Sequence, residues 1–256
     1  MIPSRAVTHV ALATCDPLPE HDPDAPLLAQ ALTEEGIDAE VVAWERGPED
    51  FLRARWTVVR STWNYVHHLD AYLTWIDALE GRILNPAPVL RWNIHKRYLL
   101  DLAARGVATV PTRVVARGEA QSLGALLDTQ CWTRAVAKPA VSAASFETRR
   151  VAHGSDRENE RWFAACLESR DMLVQPYLDA VEDYGERSLV WIDGALTHAI
   201  RKSPRFAGGA ERVSESAVSI ADDERELAQR AVRAAQSITG SDLLYARIDL
   251  ARDAAG

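Results

Sequence analysis

Lys138 and the residues around it form the part of this sequence best suited to chemistry. The lysine ends an apolar run, 135–137, and is followed by small residues that include Ser142 and Ser145. A cation beside free backbone amides and hydroxyl groups is suited to holding a polyphosphate. Lysines that end an edge strand before a turn are also common in proteins without a ligand, so this loop alone leaves a structural role open.

Further candidate binding groups lie on both sides of this loop. Lys96 precedes it, in a segment where apolar residues at helical spacing predict a helix over 93–105. After the loop, Gln175-Pro176-Tyr177-Leu178 leaves a predicted strand and enters an acidic stretch that ends in Glu186. Such an extended segment can present backbone N–H and C=O groups to an adenine ring, while a carboxylate accepts hydrogen bonds from ribose hydroxyls.

Cations and a carboxylate also mark the last two long strands that the sequence predicts. Arg201 and Lys202 end the strand predicted at 195–202, and Arg247 and Asp249 lie in the strand predicted at 243–250. Cations can stabilise the charge on a transferring phosphate, and a carboxylate can be a ligand of Mg²⁺.

The first ninety residues predict a sheet that positions another set of groups. Apolar runs at 8–14, 39–44 and 56–62 predict strands, and apolar residues at helical spacing predict helices that begin near Leu27 and Leu69. This alternation of strands and helices is typical of a small open parallel sheet.

Ligands of such sheets bind beyond the carboxyl ends of the strands. Asp16 follows the first predicted strand, and Arg60, Trp63, Asn64 and Tyr65 lie at the end of the third. We expect these side chains to hold the carboxylate or amino group of a small substrate. Packing of the aromatic rings against the rim of the sheet is the alternative.

A change of pattern near Pro88 predicts a domain boundary. Beyond it, short strands predicted at 110–115, 135–139, 148–151 and 172–175 alternate with helices and predict an α+β unit. The Asp193-Gly194 pair between two apolar runs predicts a hairpin, and a long helix over 227–238 precedes the final strand.

These segments, taken in chain order, resemble the ATP-grasp superfamily over nearly the whole chain. The resemblance is carried by Lys96, Lys138-Pro139, Gln175-Pro176-Tyr177-Leu178, Gly185-Glu186-Arg187-Ser188, Arg201-Lys202 and Arg247-Ile248-Asp249. Within the superfamily, Arg60-Ser61-Thr62-Trp63-Asn64-Tyr65 and Leu84-Asn85-Pro86 are similar to the glutathione-synthetase-like branch. That branch includes a cyclo-ligase of natural-product biosynthesis.

The resemblance implies an α/β and α+β chain with the ATP-grasp fold and an N-terminal pre-grasp domain built on a parallel sheet. The implied divisions are a substrate domain at 1–90, a small ATP-grasp subdomain with a linker helix at 91–174, and a C-terminal subdomain at 175–256. The implied activity is that of an ADP-forming carboxylate-amine ligase acting on a small amino-acid-like molecule. Family chemistry activates a carboxylate as an acyl phosphate, which an amine then attacks to form an amide or a ring.

The resemblance also implies roles for individual residues. ATP would be bound by Lys96, Lys138, Ser142, Ser145, Gln175, Tyr177, Leu178 and Glu186. Arg247, Arg201 and Lys202 would be catalytic, and Asp249 would bind Mg²⁺. Asp16, Arg60, Trp63, Asn64 and Tyr65 would contact the substrate.

One part of the family pattern is missing after Asp249. Family members normally continue with a Glu-x-Asn or Glu-x-Glu metal motif, whereas the given sequence ends at Gly256. The expectation is a truncated C-terminal subdomain that binds ATP with weak or no ligase activity, which an extension supplying the motif would restore. A non-catalytic ATP-grasp nucleotide-binding protein is the alternative, and an α/β binding module without a nucleotide is a third interpretation.

Charge and composition exclude other classes of protein. The formal net charge is -8 and the basic residues are scattered, which argues against binding of nucleic acid. No apolar stretch approaches the ~20 residues needed to span a bilayer, so we expect no membrane association and a cytoplasmic protein. The three widely separated cysteines predict reduced thiols. The expected partner is a small molecule, and a homo-oligomer is compatible with the sequence.

Overall fold

The computed structural model describes residues 8–143, 145–154, 157–203 and 212–253. The chain divides into two compact units, Met1–Arg91 and Trp92–Gly256. The further division of the second unit at residue 174 stays a prediction.

The first unit is built around a four-stranded parallel sheet, as the alternating pattern predicts. Its strands have the order β2-β1-β3-β4. The elements are β1 (His9–Thr14), α1 (Asp24–Glu34), β2 (Asp38–Ala43), α2 (Pro48–Leu52), β3 (Trp56–Ser61), α3 (Leu69–Ala78) and β4 (Ile83–Leu84). Short 3₁₀ helices at Trp44–Arg46 and Trp63–His67 follow β2 and β3.

The second unit begins with helices and an antiparallel sheet of order β5-β8-β6-β7. The elements are α4 (Ala87–Ile94), which spans the boundary, α5 (Tyr98–Ala104), β5 (Arg113–Val115), α6 (Leu123–Gln130), β6 (Arg134–Pro139), β7 (Arg149–Ala152), α7 (Arg157–Leu167) and β8 (Met172–Pro176). The predicted division at 174 falls inside β8.

A second antiparallel sheet, of order β11-β10-β9-β12, completes this unit. Its elements are α8 (Ala180–Asp183), β9 (Glu186–Ile192), β10 (Ala195–Ser203), β11 (Arg212–Val213), α9 (Asp222–Thr239) and β12 (Tyr245–Leu250). The predicted hairpin at Asp193-Gly194 joins β9 to β10.

Each antiparallel sheet has one apolar face covered by helices. In the first sheet, Ala135, Ala137 and Val174 pack with Leu127 of α6 and Phe163 of α7. In the second, Leu189 and Ala199 pack with Ala228 of α9. Because strand residues alternate between faces, the residues between these positions lie on the opposite face of each sheet. Those opposite faces carry Lys138 and Gln175 of the first sheet and Glu186 of the second, three of the predicted nucleotide-binding residues.

The predicted single helix over 93–105 is wrong, because the structure has two helices with a break between Ile94 and Tyr98. At the break, the N–H of Lys96 donates to the carbonyl oxygen of Ala140 at 2.8 Å instead of to a helical carbonyl. A hydrogen bond from a distant part of the chain therefore overrides the local helical pattern.

The longest described helix, α9, has 18 residues and buries a stripe that includes Ala228, Val232 and Ala235. The helix is amphipathic, since acidic residues fill its first turn and polar residues its outer face. Among the residues that the structure describes, no helix combines the length and the apolar composition needed to cross a membrane.

Candidate active site

Lys96 and Lys138 lie side by side at one end of the first antiparallel sheet. Lys138 is the next-to-last residue of β6, and Lys96 is bound to the residues that follow β6, because its Nζ donates to the carbonyl oxygen of Ser142. Burial lowers the pKa of Lys96, and the neighbouring charge of Lys138 lowers it further, to about 8. The pair is therefore a concentration of positive charge that an anion would stabilise.

Lys138 is also close to groups of the second antiparallel sheet. Burial lowers its pKa, and the carboxylates of Glu186 and Asp249 only partly offset that effect. The face of the first sheet that carries Lys138 therefore lies near the face of the second sheet that carries these two carboxylates.

The strand register explains why these groups share one face of the second sheet. Glu186 of β9 lies opposite Lys202 of β10, and Ser188 lies opposite Asp249 of β12. Glu186 and Ser188 are two residues apart, so their side chains emerge on the same side, and cross-strand partners share that side. Arg247, two residues before Asp249, belongs to the same face.

Asp249 is held by several donors on this face. Nε and Nη2 of Arg247 each donate to one of its oxygens at 2.8 Å, and the hydroxyl of Ser188 donates at 2.7 Å. Burial would raise the pKa of Asp249, but Arg247, Lys202 and Ser188 together hold it below its usual value. Asp249 is therefore a carboxylate whose position is fixed by neighbouring donors.

Lys138 and Lys202 lie on these two faces, and Lys96, the third lysine of the chain, lies beside Lys138 at the break between α4 and α5. Every other basic side chain among the 29 lysines and arginines is an arginine. A lysine ammonium can contact phosphate as a compact point charge.

Arg201 lies on the other face of β10, away from these groups. Its register partner is Arg187, and its guanidinium donates to the backbone carbonyls of Asp183 and Tyr184, the latter at 2.7 Å. These contacts fix the chain just before Gly185 and Glu186. The structure brings Lys202 to the predicted site but does not bring Arg201 there.

The predicted adenine-binding segment begins in β8, the strand that pairs with β6, which carries Lys138. Gln175 is opposite Val136 and shares the face of Lys138, and its Nε2 donates to the hydroxyl of Thr112 at 2.9 Å. The ring of Tyr177 is flanked by the guanidinium groups of Arg134 and Arg150. Tyr177 also donates from its hydroxyl to Glu182 at 2.5 Å. Leu178, the last residue of the segment, is half-buried.

The small-residue loop after Lys138 is shaped by backbone turns. Ser142 is buried, whereas Ser145 is exposed and has a φ of 59°. The carbonyl oxygen of Ser145 accepts from the N–H of Thr148 at 3.1 Å. Both predicted serines therefore lie in the loop that follows the lysine pair, and Ser142 contributes its carbonyl oxygen to Lys96.

The predicted substrate residues all lie at the carboxyl ends of β1 and β3 in the first unit. These ends are linked by a 3.1 Å hydrogen bond between the hydroxyls of Thr14 and Ser61. Arg60 forms an ion pair with Asp24 at 3.4 Å, and Tyr65 stacks on Tyr72 with ring centroids 5.2 Å apart.

Asn64 and Asp16, two of these predicted residues, are joined through a residue that the sequence did not single out. Glu45, in the 3₁₀ helix that follows β2, accepts from the side-chain amide of Asn64 and from the N–H of Asp16. The amide oxygen of Asn64 accepts from Trp44 at 2.8 Å, whereas Trp63 is half-buried beside it. Glu45 was missed because no pattern predicts the 3₁₀ helix that places it.

Ser188 and Tyr98 were missed as well. Ser188 is fully buried and bonds to Asp249, a contact that could be expected from its spacing of two from Glu186 on the same strand. Burial and the charge of Asp249 raise the pKa of Tyr98 to about 12, although Arg247 opposes this shift, so the phenol stays protonated beside the site.

The donor set fits a nucleotide polyphosphate. Lys96, Lys138, Lys202 and Arg247 supply four cations, whereas Glu186 and Asp249 supply two carboxylates. The excess of positive charge, together with the depressed pKa of Lys96, favours a multivalent anion. No group of three metal-ligating side chains occurs in the described part of the chain. Asp249 therefore suits a metal ion shared with the phosphates better than a site made by protein alone.

Known proteins match this arrangement over almost the whole chain. The chain is 33% identical over 249 residues to the cycloserine biosynthesis protein DcsG of Streptomyces lavendulae, a match that covers 92% of this chain and 83% of DcsG. It belongs to the DcsG family of ATP-grasp ligases. Residues 10–85 also match the family described as the N-terminal domain of the D-cycloserine synthetase DcsG.

Solved structures agree with membership of the DcsG family. The crystal structure of D-cycloserine synthetase DcsG superposes with a TM-score of 0.87 at 32% identity, covering 97% of this chain and 88% of that one. The D-alanine–D-alanine ligase of Bacillus anthracis superposes with a TM-score of 0.64 at 13% identity, covering 97% and 84%, which shows a shared fold. The predicted ATP-grasp fold and the glutathione-synthetase-like resemblance are confirmed. The chain is an ATP-dependent ligase that forms C–N bonds on a small amino-acid-like substrate.

Proposed function

We propose that this DcsG-family chain is an ATP-dependent cyclo-ligase that closes an O-ureido derivative of serine to D-cycloserine or a closely similar ring. The observation that supports the proposal most is the 33% identity to DcsG over 92% of the chain. The polar faces of the second unit supply the charged groups that a ligase of this type needs. The alternative of a non-catalytic nucleotide-binding protein is an outcome of the test below.

ATP supplies the phosphoryl group that activates the serine carboxylate as an acyl phosphate. The ureido nitrogen that is bonded to oxygen would lose its proton and displace phosphate to close the ring, and water would remove the carbamoyl group from that nitrogen as CO2 and ammonia. Phosphoryl transfer needs positioned cations and little covalent help from the protein. Lys96 and Lys138 would bind the phosphates, and Lys202 and Arg247 would stabilise the charge that develops during transfer. Arg247 is oriented for this role by its two hydrogen bonds to Asp249.

The base of the nucleotide would lie against the segment around Gln175, and the ribose would lie beside Glu186. Gln175 is held by Thr112, so its backbone is fixed beside the face that carries Lys138. Glu186 lies opposite Lys202 and would accept from ribose hydroxyls. Ser142 and Ser145 would add loop contacts to the phosphates.

Mg²⁺ would be bound by Asp249 together with oxygens of the nucleotide. The low pKa of Asp249 keeps it ionised at neutral pH, as a metal ligand must be. Magnesium usually keeps several waters and takes one or two carboxylates besides substrate phosphates. One fixed carboxylate therefore suffices for an ion that the phosphates share.

The substrate would be held by the edge of the first unit. Arg60 offers a guanidinium for a carboxylate, and the carboxylates of Asp16 and Glu45 can accept from an ammonium group. Trp63 and Tyr65 supply apolar surface beside these charges. A zwitterionic amino acid derivative matches this combination.

The test is product formation from defined substrates. The purified chain is incubated with ATP, Mg²⁺ and O-ureido-D-serine, and ADP and D-cycloserine are measured by mass spectrometry; pairs of free D-amino acids serve as the comparison. We expect D-cycloserine and ADP in equal amounts, formed at a low rate that an extension supplying the Glu-x-Asn or Glu-x-Glu motif would raise. A dipeptide product instead would contradict ring closure, and ATP binding without ADP formation would favour the non-catalytic alternative.

A further inference from the structure

His95, next to Lys96, makes contacts that the proposed function does not use. Its Nε2 lies 3.1 Å from Oδ2 of Asp171, and its Nδ1 accepts from the N–H of Arg97 at 3.0 Å. Since Nδ1 is an acceptor, the ring proton is on Nε2, which donates to Asp171. The other carboxylate oxygen of Asp171 accepts from the N–H of Arg117 at 2.8 Å.

These contacts close a ring of hydrogen bonds around Lys96. Asp171, just before β8, accepts through its backbone carbonyl from the N–H of Ala140 at 2.9 Å. Ala140, just after β6, accepts in turn from the N–H of Lys96 at 2.8 Å. Lys96 is bonded covalently to His95, which completes the circuit. The break between α4 and α5 is thus fastened to the ends of two strands, with Lys138 next to Ala140.

We propose that His95 is a positioning residue, which acts through Asp171 to hold Lys96 against the end of β6 so that its ammonium group stands beside Lys138. The inference rests on the proposed function in one respect, since it assumes that the lysine pair binds the phosphates of ATP. The geometry supports it independently, because the His95–Asp171 bond adds a third link between this segment and the ends of β6 and β8, beside the bonds of Lys96 to Ala140 and Ser142.

A purely structural role for His95 predicts a different result. Replacing His95 would then lower the melting temperature and leave the environment of the Lys96 ammonium group unchanged. A positioning role changes that environment, since a released segment would expose Lys96 to water and separate it from Lys138. Lys96 would then titrate above its present pKa of about 8.

Two substitutions separate the two contacts of His95. His95→Asn keeps a side-chain oxygen near the place of Nδ1, where it can accept from Arg97, but it is too short to reach Asp171. His95→Gln places an N–H group near the place of Nε2 and can restore the bond to Asp171. The matched control is His153→Asn, because His153 forms a surface ion pair with Asp128 in the same unit.

The measurement is acylation of Lys96 in the full chain by an amine-reactive ester, followed by peptide mass spectrometry over a range of pH. With only three lysines in the chain, the Lys96 peptide is resolved readily. In His95→Asn we expect the titration of Lys96 to move upward and ATP affinity, measured by calorimetry, to fall about five-fold, as for loss of one hydrogen bond. In His95→Gln the Lys96 titration and the ATP affinity should return most of the way to the wild-type values. In His153→Asn neither the Lys96 titration nor the ATP affinity should change.

The two readouts keep the inference separate from the proposed function. If the wild-type chain binds no ATP, the proposed function is wrong, while the labelling profile of Lys96 still decides the role of His95. An unchanged Lys96 titration in His95→Asn would overturn the inference, as would a folded His95→Gln variant that resembles His95→Asn. A lower melting temperature alone would show that His95 is structural only.

Discussion

The pKa of Lys96 is about 8 because burial disfavours its charge and the ammonium group of Lys138 repels it. Free energy is therefore stored in the unliganded site. Below pH 8 Lys96 is protonated in both the folded and the unfolded chain, so the destabilisation that its buried charge causes in the folded state is fully present. Between about pH 8 and the ordinary lysine pKa of 10.5 the unfolded chain binds more protons, so the free energy of unfolding rises with pH.

ATP binding should take up protons at pH 8 to 9. A polyphosphate raises the pKa of Lys96, whereas the phosphates themselves are already ionised in this range. ATP affinity should accordingly fall as pH rises through 8. Calorimetry in two buffers of different ionisation enthalpy measures the uptake directly. Lys96→Arg, whose charge does not titrate, should bind ATP with a smaller proton uptake, since Lys138 remains, and an uptake equal to that of the wild-type chain would contradict the assignment of Lys96.

Lys138→Ala should weaken ATP binding by about 1.5–3 kcal/mol, the range for a charge-assisted hydrogen bond. Lys138 is the cation that the strand pattern places at the end of β6, and Glu186 and Asp249 surround it with charge that an ATP complex would reorganise. Isothermal calorimetry at low salt provides the affinity. Arg113→Ala is the control, since Arg113 is an exposed cation of the same sheet that contacts Gln130. Equal losses in both variants would show a non-specific charge effect.

Gly185→Ala should destabilise the start of β9 more than Gly194→Ala does at its end. Both glycines have positive φ, +81° and +91°, which costs an alanine about 1–2 kcal/mol. A Cβ at Gly185 would also lie 2.8 Å from the carbonyl oxygen of Lys202, whereas one at Gly194 meets open space. Overpacking of this kind adds about 1–3 kcal/mol. Urea unfolding measures the difference, and equal effects would mean that the contact relaxes freely.

The pattern of apolar residues predicts the strands of this fold better than it predicts where a helix is interrupted by a distant hydrogen bond. The strand that carries Lys138, β6, has alternating burial, and its position is predicted correctly. The break at Lys96 could not be predicted, since it depends on the carbonyl of Ala140 some forty residues later. Local sequence cannot show that acceptor.

Arg201 and Lys202 show the same limit within one strand. Neighbouring residues of a strand point to opposite faces, so the sequence does imply that only one of the two faces the site. It does not show which one, because that depends on the register of β10 with β9. The register places Lys202 opposite Glu186 and turns Arg201 toward the carbonyls of Asp183 and Tyr184.

Arg60→Ala should raise the KM for the amino-acid-like substrate about ten-fold while ATP affinity stays unchanged, as for loss of one charge-assisted contact. The side chain of Arg60 is only 18% exposed, yet its partner Asp24 is 70% exposed, so the pair is open to exchange with a substrate carboxylate. Steady-state kinetics with each substrate varied in turn separates the two effects. Arg53→Ala, which removes an exposed arginine paired with Asp50, should leave both constants alone. Loss of folding in Arg60→Ala would instead support packing at the rim.

Asp249→Asn should preserve ATP binding in the absence of Mg²⁺ and weaken the Mg²⁺ dependence of turnover. Without the metal, removing a negative charge near the phosphates should leave ATP affinity unchanged or increase it. With the metal, loss of a carboxylate ligand should raise the Mg²⁺ concentration needed for half-maximal turnover about ten-fold or more, because ligand charge sets the affinity of such sites. The control is Ser188→Ala, which removes the 2.7 Å hydrogen bond to Asp249 but keeps the carboxylate. Calorimetry in EDTA measures ATP affinity without the metal, and kinetics over a series of Mg²⁺ concentrations measures the metal dependence of turnover. Since Asp249 also orients Arg247 through two hydrogen bonds, a structural role would weaken ATP binding equally in both conditions, and that result would rule out metal ligation by Asp249.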